Sequence, residues 1–238
     1  EGAQLVILEA PAGFGKTCTS YEIAKTISQT ENIGIVPILA ELSKNRSARI
    51  FSYVLLTEID RKFPRLSSTL VTEQIKEGNI PLIIDGFDEL LSKSTEDIDD
   101  ATEEARTMLD TIANFFTKGS KTKIVLTSRK SSILAGEVFD KWIAEKLQYC
   151  NVNRIQIINP TIAEWIGNAK KNYLESKGIV LDYIANPVLL SMLKSVSLDE
   201  YDKTFQCAND ILENYFKILL EREKERQQLF LGVSEQIK

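Results

Sequence analysis

The 238-residue chain has no histidine. That absence removes Ser-His-Asp and Cys-His nucleophilic machinery, the His-x-x-x-His zinc pattern and the commonest general base, so any catalysis rests on carboxylates and a divalent cation. Cysteine is scarce as well. Cys18, Cys150 and Cys207 are odd in number, far apart and without metal-ligand spacing, a pattern that predicts buried free thiols rather than a disulfide framework. No apolar run approaches the ~20 residues that cross a bilayer, and no charged-then-apolar leader opens the chain. A cytoplasmic protein with no membrane partner is expected. Positive charge is outweighed, with 29 Lys and Arg against 34 Asp and Glu. Lys118, Lys121 and Lys123 are too few to make a groove, so no direct nucleic-acid binding is expected for this segment. The chain begins Glu1-Gly2 without methionine and enters a strand at once, which predicts an excised piece of a longer protein.

What the chain does contain is concentrated near its start. Ala10 to Thr17 reads Ala-Pro-Ala-Gly-Phe-Gly-Lys-Thr, between an apolar run, Leu5 to Leu8, and a helical pattern opening near Lys16. A strand that ends in a Gly-rich turn, followed by a helix N-terminus, aims backbone N–H groups and a positive dipole end at one point, the environment polyphosphate requires. Ala12, Gly13, Phe14, Gly15, Lys16, Thr17 and Cys18 are the expected cradle. Gly13 and Gly15 permit close approach, Lys16 reaches the terminal phosphates, and the Thr17 hydroxyl ligates Mg²⁺. The first position is Ala10 instead of the usual glycine.

A second motif answers the first. Pro81 to Leu90 reads Pro-Leu-Ile-Ile-Asp-Gly-Phe-Asp-Glu-Leu, an apolar strand delivering Asp85 at its carboxyl end, where open parallel sheets bind ligands. Asp85 completes the Mg²⁺ site with Thr17. Asp88 and Glu89 add carboxylates near the expected γ-phosphate, with Asp88 preferred over Glu89 as the base that polarises water. A further strand ends in Thr127-Ser128-Arg129, and Arg129 is placed to bind γ-phosphate oxygens.

Five β-prone runs alternate with helical patterns: Gln4 to Leu8, Ile33 to Leu39, Ile80 to Ile84, Lys123 to Thr127 and Arg154 to Ile158. The fold expected is α/β, a five-stranded parallel sheet flanked by helices. Ile98, Ala101, Ala105, Met108, Leu109, Ile112 and Phe116 recur at helical spacing behind a capping-box pattern, Ser94 and Asp97. After Pro160 strand signals cease. Thr161 and Glu164 form another capping box, and Ile162, Trp165, Ile166, Ala169 and Tyr173 form one stripe on a helix closed by Gly178. Pro187 opens a short apolar helix, and Ala208, Ile211, Leu212, Tyr215 and Leu219 mark a longer one. The domains expected are 1–160 for nucleotide, 161–226 all-helical, and 227–238 a tail or linker.

Taken together, the small-residue phosphate loop, Asp85-Gly86-Phe87-Asp88-Glu89, Thr127-Ser128-Arg129 and Asn186-Pro187 resemble the NACHT branch of the STAND P-loop ATPases over nearly the whole chain. The resemblance implies an ATP/ADP- and Mg²⁺-dependent switch of low turnover that drives self-association of a larger immune or antiphage signalling protein, with effector and sensor domains outside this segment. It implies that Arg129 is a sensor arginine and that Pro187 packs near adenine. The winged-helix histidine of many relatives has no counterpart here, so either that domain is expected beyond Lys238, the preferred reading, or this chain latches differently. Competing classes are an AAA+ mechanical ATPase, disfavoured because no arginine occurs from Ile155 to Glu221, and a small-molecule kinase, for which Arg46, Arg49 and Arg61 are the only early cluster. A GTP switch would need an Asn-Lys-x-Asp motif, which is absent.

Overall fold

A computed structural model describes residues 2–30, 35–45, 50–91, 98–129, 137–158, 161–180, 187–205 and 207–227. The described chain divides into two compact units, Glu1–Ile157 and Ile158–Lys238.

Unit 1 is a five-stranded parallel sheet. Its strands are β1 (Ala3–Glu9), β2 (Ile38–Glu41), β3 (Leu82–Asp85), β4 (Lys123–Ser128) and β5 (Cys150–Gln156), in the order β2-β3-β4-β1-β5. Each strand is linked to the next through helix: α1 (Lys16–Gln29), α2 (Phe51–Lys62), α3 (Ser68–Lys76), α4 (Asp88–Leu91), α5 (Ile98–Ala113) and α6 (Glu137–Lys146). Leu5, Ile7, Ile38, Leu82, Ile84, Ile124 and Leu126 are buried in one core with Phe51, Met108, Leu109, Ile112 and Phe139 from the helices. The central strands read as continuous apolar runs because helices cover both faces. With the order above, β4 lies between β1 and β3, so the ends of these three strands bring the loop after β1, the acidic motif after β3 and the Thr-Ser-Arg motif side by side.

Two strands start four or more residues from their expected positions; β3 starts two residues late, at Leu82, and β1 and β4 differ by at most one residue at either end. β2 starts at Ile38 because Pro37 has no N–H to donate, and pairing opens with Ile38 N bonded to Pro81 O at 2.9 Å. Ile33 lies outside the described residues. β5 starts four residues before Arg154 and is mostly polar and exposed; among the described strands only β1 pairs with it, so nothing demands an apolar alternation. Ser94, Asp97, Arg46, Arg49 and Asn186 also lie outside the described residues.

Gly78, in the turn between α3 and β3, has φ +78, and a Cβ there would lie 2.3 Å from the backbone oxygen of Lys121. Lys121 N donates to Lys76 O at 2.8 Å across the same turn, so neither chain has room to retreat. Gly78→Ala is expected to destabilise the protein by about 1–3 kcal/mol and lower the melting temperature by roughly 5 °C in a calorimetric scan. A melt within 1 °C of the parent, to order of magnitude in that scale, would show that the turn yields.

Unit 2 is helical: α7 (Ile162–Ile166), α8 (Asn168–Ser176), α9 (Pro187–Ser195), α10 (Leu198–Thr204) and α11 (Ala208–Gln227). The single helix expected from Ile162 to Gly178 is in fact two. Gly167 adopts φ 83, ψ 153, a backbone conformation that ends α7 and that a Cβ would resist. Thr161 does occupy the N-cap of α7, yet no side-chain capping bond forms there. Ile162, Ile166, Leu174, Leu189, Leu190, Leu193, Tyr201, Phe205 and Ile211 form the core. Lys170 ties it together, donating to the backbone oxygens of Leu193, Lys194 and Val196 at the end of α9 while its ammonium sits over the Tyr201 ring. A cation at a helix C-terminus satisfies carbonyls that the helix itself leaves unpaired.

Candidate nucleotide site

The loop after β1 is built from two left-handed glycines, Gly13 at φ 80 and Gly15 at φ 79, and Gly15 is the N-cap residue of α1. Only glycine takes that conformation without cost. The first backbone bond of α1 runs from Thr19 N to Gly15 O, so the N–H groups at Lys16, Thr17 and Cys18 lie in the turn where a helix has no acceptor of its own to offer. Pro11, Ala12 and Gly13 are exposed and Phe14 is half-buried. Lys16 bends over this loop, its Nζ 3.0 Å from Ala10 O and 3.3 Å from Pro11 O. Burial pushes its ammonium below the ordinary 10.5, opposed first by Asp88, then reinforced by Arg129, with Asp85 and Glu89 pulling it back up. All four charges are therefore within electrostatic reach of Lys16.

Asp85, 5% exposed, receives three hydroxyls. Thr17 Oγ1 donates to its Oδ2 at 2.8 Å, while Ser20 Oγ at 2.8 Å and Thr127 Oγ1 at 2.7 Å donate to its Oδ1. Thr127 accepts in turn from Gly86 N at 3.0 Å, and its backbone oxygen takes Phe87 N at 2.9 Å. These two bonds splice the end of β3 to the end of β4 beyond the last ladder pair, Ile84 with Leu126. Phe87 is wholly buried and anchors the acidic motif to the core.

The two following acids diverge. Asp88 is occupied by Arg129 twice, through Arg129 N to Oδ1 at 2.9 Å and Nε to Oδ2 at 2.8 Å. Glu89 turns back toward Gly86, where a Cβ would meet its Oε1 at 3.4 Å. The glycine at 86, with φ +80, thus leaves space in which the Glu89 carboxylate sits.

One acid next to this cluster escaped the sequence reading. Glu41 ends β2 in register with Asp85 and accepts from the Tyr21 hydroxyl at 2.7 Å. That hydrogen bond, then burial, pushes the Tyr21 phenol up to about 12, so it stays a donor across the physiological range. Ser20 and Tyr21 were readable in principle: they follow Thr17 at i+3 and i+4, a hydroxyl face where an amphipathic helix would carry apolar side chains. Another pair braces the far side, Arg154 Nη2 to Glu9 Oε1 at 2.6 Å, with the guanidinium over the Phe139 ring.

The structure brings Lys16, Thr17, Asp85, Asp88, Glu89 and Arg129 together at the carboxyl ends of β1, β3 and β4. Cys18 is exposed on the first turn of α1, and Cys207 is exposed as well, contrary to the buried thiols expected. Cys150 alone is half-buried, its thiol pushed up to about 11 by burial. Pro187 is half-buried at the start of α9 in unit 2.

The donor chemistry fits a magnesium nucleotide. Mg²⁺ takes hard oxygens, one or two of them carboxylates, with the rest from water and phosphate. Thr17 and Asp85 offer such a pair, and no cluster of three or more His, Cys, Asp or Glu side chains suited to an all-protein metal cage occurs among the described residues.

Strand, glycine loop, helix and an acid at the end of a nearby strand define a P-loop α/β fold. Neither a family model nor a curated protein matches the chain. Among solved structures it is similar to the ORC2 protein of Aeropyrum pernix in its ADP form (12% identity, 83% of this chain and 53% of that one, TM-score 0.38). It is also similar to a DNA replication initiation factor (12% identity, 96% and 61%, TM-score 0.37) and to the Hef helicase domain of Pyrococcus furiosus (12%, 89% and 50%, TM-score 0.29). The chain spans between half and about three-fifths of the length of these structures. No described helix is long and apolar enough to cross a membrane.

Proposed function

We propose that unit 1 binds ATP or ADP with Mg²⁺, hydrolyses ATP slowly, and serves as the NACHT-type switch of a larger signalling protein that self-associates in response to nucleotide. The observation that supports this most is the Thr17 to Asp85 bond at 2.8 Å, which unites two motifs 68 residues apart on the metal-binding pair. Backbone N–H groups of the loop and the Lys16 ammonium would hold the phosphates, and Thr17 with Asp85 would hold the cation. Bound there, Mg²⁺ would neutralise charge on the phosphates.

Glu89 takes the part of base in this reading, in place of Asp88. Asp88 would have to give up its bonds to Arg129 to accept a water proton, and the Glu89 carboxylate sits in the space beside Gly86, next to the metal aspartate. Arg129 then senses the γ-phosphate by exchanging one anion, Asp88, for another. A ligand with differential contacts to the two arrangements shifts their populations, the physical content of a switch.

Titration calorimetry with ADP, ATP and GTP in Mg²⁺ tests the reading, with hydrolysis followed by phosphate release. Adenine nucleotides are expected to bind at micromolar dissociation constants, about −8 kcal/mol. No heat at millimolar nucleotide would overturn the proposal. The Lys16 shift adds a pH signature. Its pKa in the ligand-free protein lies below 10.5, and a bound phosphate raises it, so binding takes up protons at alkaline pH and affinity falls as pH climbs through the ligand-free value. Buffers of different ionisation enthalpy reveal the uptake; binding with none at any alkaline pH at which the protein stays folded would detach Lys16 from the phosphates.

A further inference from the structure

Asp85 is held asymmetrically. The two hydroxyls on Oδ1, from Ser20 and Thr127, belong to side chains with no exposed surface, whereas the hydroxyl on Oδ2 belongs to exposed Thr17. A carboxylate in this state has one oxygen turned into the protein and one toward the side a ligand reaches. The pinning is directional: Thr127 Oγ1 already accepts from Gly86 N, so its single proton goes to Asp85. Ser20 Oγ lies 2.8 Å from Asp85 and 3.1 Å from Lys16 O, the charged acceptor being the nearer.

We infer that Ser20 and Thr127 are positioning residues for the metal aspartate: they fix Oδ1 so that Asp85 presents Oδ2 alone, in line with the Thr17 hydroxyl, to a divalent cation. The inference rests on the nucleotide reading above and adds to it two residues outside both sequence motifs' expected ligands. Groups that orient a metal ligand without touching the metal typically contribute tenfold to a hundredfold in metal affinity. Ser20 does so from α1 and Thr127 from β4, so the aspartate on β3 is gripped from both the helix above the sheet and the strand beside it. With either hydroxyl gone, the carboxylate is free to rotate about its last bond and spends part of its time with the oxygens exchanged.

The test uses the whole chain and a fluorescent N-methylanthraniloyl derivative of ADP, titrated at a series of Mg²⁺ concentrations and in EDTA. Ser20→Ala and Thr127→Val are each expected to raise the Mg²⁺ concentration at half-effect about tenfold. Affinity in EDTA should stay within about twofold, because the phosphate loop is untouched. Thr127→Ser, which keeps the hydroxyl and loses only a methyl, is expected to restore the parent midpoint. Thermal melts accompany each variant, and if Ser20→Ala does not fold, the Thr127→Val and Thr127→Ser pair decides. An unshifted Mg²⁺ midpoint in Thr127→Val would overturn the inference while leaving nucleotide binding intact. Equal weakening with and without Mg²⁺, or a Thr127→Ser midpoint as displaced as that of valine, would overturn it too by reducing both residues to packing. A parent chain that binds no nucleotide under any condition ends this inference together with the reading beneath it, and is the one outcome that does so.

Discussion

Lys16→Ala is expected to weaken ATP and ADP binding by about a hundredfold, near 2.7 kcal/mol, the scale of a charge-assisted hydrogen bond to phosphate lost inside a partly desolvated loop. The geometry explains why the loss should be so large. The Lys16 Nζ already lies over the loop, 3.0 Å from Ala10 O, so little reorganisation separates that pose from a phosphate. Removing it also strips a cation from beside Asp85, Asp88 and Glu89, while the described Arg129 is itself committed to Asp88. Repulsion therefore compounds the missing bond. Calorimetry on folded Lys16→Ala that returned the parent affinity would remove the loop from consideration as the phosphate site.

The second large effect separates the two acids. Glu89→Gln is expected to lower ATP turnover by about 10² to 10⁴ while nucleotide affinity stays near that of the parent, since it removes a proton acceptor without touching the phosphates. Asp88→Asn should cost turnover less and act chiefly on discrimination, because it weakens the hold of Asp88 Oδ2 on the Arg129 guanidinium, while Oδ1 accepts from the Arg129 backbone N–H. Single-turnover hydrolysis of the two variants side by side decides. If Asp88→Asn is the inert one and Glu89→Gln hydrolyses at the parent rate, the roles are reversed and the ion pair must open before chemistry.

How far the sequence spoke depended on where local chemistry and tertiary context coincide. β1, β3 and β4 were legible because buried parallel strands are apolar runs flanked by glycine and acid, and the meeting of Lys16, Thr17 and Asp85 was legible because both motifs sit at the carboxyl ends of such strands. β5 was displaced because an edge strand such as Cys150–Gln156, paired on one side and polar, carries no hydrophobic period to read. The break at Gly167 was missed because the stripe from Ile162 to Tyr173 continues through it; a positive φ leaves no mark on periodicity. α10, whose Tyr201 and Phe205 lie wholly buried, is seven residues long, too short for a pattern to stand out. Within the site, the bonds of Ser20 and Thr127 to Asp85 stayed hidden because the carboxylate lies far away in sequence, and the pairing of Asp88 with Arg129 because two charges near one crevice do not reveal which of them face each other.

The splice between β3 and β4 has a mechanical corollary. Gly86, Phe87 and Asp88 are each tethered to Thr127 or Arg129, so the Asp85 carboxylate, Asp88 and the Arg129 guanidinium form one lever rather than three independent parts. A pull on the arginine must be felt at the Asp85 carboxylate a strand away, and under the function proposed above the departure of a single phosphate would be registered by the whole rim at once.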